Sequence, residues 1–117
     1  MSTTSEGWTQ TADGSTLGQP GPEGGVIARD ESAARGVRLL VEEDPSRTFY
    51  SVTAMIADWM AHARFFDNRA DADRAFEEMK PALMELAAKL PEVRPPPADP
   101  ETWRNGALLS AFVTHFA

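Results

Sequence analysis

Ser51, Thr53, His62 and Arg64 are the side-chain types that hold a small anion. An arginine presents a planar fork of donors that matches a carboxylate. A histidine titrates near neutral pH, and hydroxyls both donate and accept. Folding 48–66 as a hairpin about Ala57-Asp58 sets Thr53 beside His62 and Ser51 beside Arg64, framed by Met55, Met60, Phe49 and Phe66. Such a face suits a small anion or carboxylate ligand. It is equally a half-exposed sheet face with scattered polar residues, the commoner meaning of the pattern.

Other chemistry is sparse. The two histidines, His62 and His115, fall on different elements with no ligand at i+3 or i+4, and cysteine is absent. Asp67, Asp71 and Asp73 do not make a calcium loop, because the positions that follow are Ala75 and Phe76. There is no Gly-x-Ser-x-Gly elbow, phosphate-binding glycine loop or dinucleotide fingerprint. The adjacent pairs Asp30-Glu31 and Glu42-Glu43 would point to opposite faces of a strand. No metal, cofactor or catalytic group is therefore expected. Arg94-Pro95-Pro96-Pro97-Ala98-Asp99-Pro100 formally fits a polyproline recognition core, a match that proline spacers often produce by accident.

The whole chain agrees with a non-catalytic reading. Its 117 residues hold one domain, 42 % of them apolar and 25 % charged, with no uninterrupted apolar run near the roughly 18 residues of a membrane span. The start is neither basic nor apolar, so no leader is expected, and the lack of cysteine fits a reducing cytoplasm. Eleven basic against eighteen acidic residues leave a net charge of −7, and arginines alternate with aspartates. No basic stripe remains for nucleic acid or for an anionic membrane.

The elements follow from periodicity and punctuation. Residues 1–24 read as a glycine-rich arm, although Trp8 and Leu17 argue for docking on the domain. Val26-Ile27-Ala28 begins a strand, and Val37, Leu39 and Val41 share one face of a second, closed by Asp44-Pro45-Ser46. Residues 48–66 fit either a hairpin or a helix, since Phe49, Val52, Ile56, Trp59, Ala63 and Phe66 also recur at helical spacing. Phe76, Met79, Leu83, Leu86 and Leu90 mark a helix capped by Asp67 or Asn68 and kinked at Pro81. Five of the nine prolines make 91–99 and its border a stiff linker, and Asp99 caps a last helix over 100–117. On that helix apolar residues cover about two thirds of the circumference, wider than a surface helix needs. Trp103, Leu108, Leu109, Phe112 and Phe116 would be its anchors in a homodimer or against another protein.

Gly24-Gly25-Val26-Ile27, an arginine-bearing second strand, His62-Ala63-Arg64-Phe65-Phe66 and Phe76-Glu77-Glu78-Met79-Lys80 occur here in that order. The order resembles a set of small bacterial proteins to which no activity, cofactor or catalytic residue is attached. The resemblance spans Gly24 to about Leu90. It implies that 48–66 is a hairpin and that the glycine-rich segment belongs to the domain, although Ala54, Ala57 and Asp58 stand where such relatives carry glycines. The expected fold is α+β: a small antiparallel sheet over 25–66, packed against a kinked helix up to residue 90, plus the C-terminal helix. The alternative is an all-α bundle. The expected function is a non-catalytic interaction or self-associating module. The alternative is a small-anion binder or minor enzyme built on Ser51, Thr53, His62 and Arg64.

Overall fold

The computed structural model describes residues 7–91 and 98–117. Strand β3 (Val37–Glu43) alternates Val37, Leu39 and Val41 with Arg38, Leu40 and Glu42, which sends the two sets to opposite faces. All of them except Arg38 are buried, so β3 is covered on both sides. Strands β2 (Val26–Ala33) and β4 (Tyr50–Ile56) flank it, and β1 (Thr9–Gln10) and β5 (Met60–Phe66) are the outer strands. The sheet is antiparallel throughout, in the order β1-β2-β3-β4-β5. The fold is α+β, and the all-α alternative is excluded because β4 and β5 occupy the segment it required as a helix.

Gly36 shows why the β2–β3 turn needs its residue. Its φ of 73° is left-handed, and a Cβ there would stand 2.7 Å from the Ala57 Cβ. A register shift between Ile27 and Arg29 marks a bulge in β2. It leaves Ile27 across from Glu42, while Arg29, Glu31 and Ala33 pair with Val41, Leu39 and Val37 and so share their face.

That face is closed by α1 (Arg69–Lys89), whose Ala72, Phe76, Met79, Leu83 and Leu86 are buried at helical spacing. The Asn68 side chain accepts from the Asp71 amide at 2.8 Å, which caps the helix. The helix continues unbroken through Pro81, which stands on its solvent side. Helix α2 (Glu101–His115) starts where Asp99 Oδ1 accepts from the Glu101 amide at 2.8 Å. It folds back on the domain, burying Asn105, Phe112 and Phe116 and half-burying Leu108 and Leu109.

Residues 7–24, read from composition as an arm, are packed on the domain. Trp8 is 3 % exposed and joins the core, and β1 pairs with Glu31 and Ser32 of β2. The Gly18 amide donates to the Ile27 carbonyl, and the Ile27 amide donates to Gln19. One buried indole and these edge bonds offset the ordering entropy that the glycines raise. The proline-rich stretch of the linker, with most of its polyproline match, falls on residues 92–97, outside the described residues.

Candidate functional site

The hairpin forms, in a different register from the expected one. Its loop is three residues, Ala57–Trp59, with Asp58 in the left-handed conformation at φ 68° and the Trp59 amide donating to the Ile56 carbonyl at 2.9 Å. A two-residue Ala-Asp loop would put Ala57 at positive φ in either favoured hairpin turn, which alanine resists. The extra loop residue turns all of β5 over. Ala54 therefore pairs with His62, Val52 with Arg64, Thr53 with Ala63 and Ser51 with Phe65.

The expected four-residue constellation is accordingly split. Ser51 and Thr53 are buried on the sheet face away from α1, and the Thr53 hydroxyl has no partner. His62 and Arg64 stand on the helix side. His62 Nε2–H donates to the Phe116 carbonyl at 2.8 Å and so fastens the end of α2. The Arg64 guanidinium carbon lies 5.1 Å from the Phe66 ring centre and 5.6 Å from that of Phe116. Its Nε is buried without a hydrogen-bond partner.

The bulge in β2 creates a charge cluster that pattern reading did not find. Lys80, 2 % exposed, donates to Glu31 Oε1 at 2.8 Å and lies 3.1 Å from Glu77. Its ammonium is 4.9 Å from the Phe76 ring centre and 5.6 Å from that of Trp8. Arg29 pairs with Glu31, Asp73 and Glu77 at 3.0–3.3 Å and covers Phe76 at 3.9 Å. Burial works against the Arg29 charge, and these carboxylates outweigh it, so its pKa is raised. For Glu77 burial pushes the carboxyl up, and Arg29 and Lys80 overcome that and hold it low. With Lys80 closed in by two carboxylates and two rings, the cluster is a clamp between β2, α1 and the Trp8 segment.

The opposite face has its own buried acids. Arg38 Nε donates to Asp30 Oδ1 at 2.9 Å, and Thr16 Oγ1 donates to Oδ2 at 2.8 Å. Glu42 Oε1 accepts from the Gly25 amide at 3.0 Å and the Glu23 amide at 3.1 Å, which draws the 21–25 loop onto the sheet. A cleft of about 350 Å3 opens between Ile56, Trp59, Ala87 and Leu90 at the turn end of the sheet. None of the four expected ligand residues lines it. Among the described residues no three histidine, aspartate or glutamate side chains group to hold a metal ion, and no helix is long and apolar enough to cross a membrane.

The expected contact residues on α2 divide in two. Phe112 and Phe116 turn inward, 4.8 Å apart between ring centres, with Leu108 and Leu109 beside them. Trp103 points out and is 87 % exposed. It borders a shallow apolar hollow formed with Thr102, Gly106, Ala107 and Ser110. No family model, curated protein or solved structure matches the chain.

Proposed function

We propose that the protein is a non-catalytic interaction module that pairs with a second copy through the outward face of α2. The observation that carries this reading is Trp103, an 87 % exposed indole beside a hollow of small residues. A two-fold axis between Gly106 and Ala107 would set Trp103 of each copy over Ser110 of the other. Beyond its chain neighbours and its own helix backbone, nothing lies within 4 Å of where a Gly106 Cβ would be, so the second helix can approach closely. A reducing, cytoplasmic setting and a place among the small bacterial proteins that the chain resembles belong to the same reading, on the absence of cysteine and the shared motifs.

Two indoles of roughly 200 Å2 each, at about 25 cal/mol per Å2, give about 10 kcal/mol. Association costs on the order of 4–15 kcal/mol. The balance is a weak, concentration-dependent dimer. Light scattering behind a sizing column tests it: the mass should rise from 12.8 kDa towards twice that value with concentration. Trp103→Ala should hold the monomer mass throughout. A wild-type chain that stays monomeric at every concentration refutes the reading.

A further inference from the structure

Strand β5 ends the sheet with an open edge. Its seven residues are all half-buried or exposed, whereas β3 and β4 are mostly buried. No backbone hydrogen bond among the described residues reaches β5 from the side away from β4, apart from the turn that starts it. Of the devices that blunt natural edges, Met60-Ala61-His62-Ala63-Arg64-Phe65-Phe66 has no lysine, proline or bulge, and its one charged residue is the half-buried Arg64.

A second observation falls on the same strand. Of the ten lysines and arginines among the described residues, nine have a carboxylate or carbonyl partner. Arg64 alone has none, in a chain of net charge −7. Its guanidinium rests near Phe66 and Phe116, with Nε buried and unsatisfied. A half-buried arginine gains a charge-assisted, two-pronged bond when a carboxylate comes alongside. The other face of β5 offers Ala61, Ala63 and Phe65, the last 60 % exposed and in edge contact with Phe49.

We infer that the free edge of β5 takes an extended segment of another protein as a sixth strand, with an acidic side chain of that segment paired to Arg64 and apolar side chains set along Ala61, Ala63 and Phe65. Backbone bonds supply affinity in such strand addition, and the side chains select the segment. A second copy of β5 is a poor occupant, because the strand has no acidic residue. Antiparallel pairing about Ala63 would also place His62 across from Arg64. This surface is separate from the outward face of α2.

The test uses the full chain and two synthetic seven-residue peptides of alternating valine and threonine, one with a glutamate on the face meeting Arg64, the other with glutamine there. The glutamate peptide should slow amide exchange along Met60–Phe66 and bind about tenfold more tightly than its glutamine twin. Arg64→Gln should erase that difference, and Trp103→Ala should leave it intact. Should Arg64→Gln fail to fold, the peptide pair on the wild-type chain still decides. Equal binding of the two peptides, protection away from β5, or no protection at all overturns the assignment. Protection of β5 that grows with chain concentration without peptide also overturns it, in favour of a second copy.

Discussion

Asp30 and Arg38 face each other across β2 and β3 as diagonal neighbours, on the side of the sheet away from α1. Burial alone would push the Asp30 carboxyl up. The Arg38 fork and the hydroxyls of Thr11 and Thr16 overcome that and hold it below the usual carboxylate range. A carboxyl with a lowered native pKa stabilises the fold at pH values above its unfolded value of about 3.9. That contribution is lost as pH falls through the lowered native value. Arg38→Gln should therefore cost about 2 kcal/mol near neutral pH, a charged hydrogen bond discounted for the partial exposure of Arg38. The difference in urea midpoint from wild type should shrink as pH drops below about 4. A gap that stays constant down to acid unfolding would show that the pair does not titrate with the fold. On the helix side, Lys80→Met leaves Glu31 buried with Arg29 as its remaining cation, at an expected cost of about 3 kcal/mol in the same urea experiment. A cost near zero would mean that Arg29 alone neutralises Glu31.

Among the elements, the Trp8 segment ties the N-terminal part of the chain to the core through one buried indole. Trp8 is buried in the same core cluster as Val37, Leu39 and the α1 stripe, and the Lys80 ammonium lies 5.6 Å from its ring centre, while β1 contributes only two paired residues. Trp8→Ala should cost about 3–5 kcal/mol by cavity and lost burial, read from the urea midpoint, and should speed amide exchange in β2. A cost under about 1 kcal/mol would place the segment outside the cooperative unit. The sequence left this docking as the lesser reading, because six glycines in 25 residues dominate the local signal and only Trp8 and Leu17 argue against a free arm. By contrast, the alternation of β3 and the 3–4 spacing from Phe76 to Leu90 were legible, since each is a local period with one buried side. The candidate site failed at a single residue of register. Ala57-Asp58-Trp59 carries no glycine or asparagine to separate a two-residue from a three-residue loop, and that one step decides whether Arg64 faces Ser51 or Val52. The β2 bulge was hidden for a similar reason. Nothing in Ile27-Ala28-Arg29 announces it, yet it carries Arg29 and Glu31 to the helix side. The wide apolar arc of α2 was visible, but only packing shows that Phe112 and Phe116 are used within the chain and Trp103 is not.

At the scale of the whole molecule, a body of 45 × 26 × 22 Å with a net charge of −7 would form the proposed dimer against like charge. The Debye length is about 30 Å in 0.01 M salt and about 8 Å in 0.15 M. In dilute salt each copy feels most of the other's charge across the full width of the pair, and at physiological strength the repulsion is confined to the contact. The proposed contact on α2 is apolar, with Trp103 over Gly106, Ala107 and Ser110, and its nearest described ion pair, Arg104–Glu101, lies within one copy. Salt should then strengthen association. The dimer dissociation constant should fall several-fold between 0.01 M and 0.15 M salt, measured by sedimentation equilibrium, and Trp103→Ala should remain monomeric at both. An interface built on ion pairs between copies would weaken over the same range. That opposite slope would move the contact away from the outward face of α2, even if the mass in light scattering were that of a dimer.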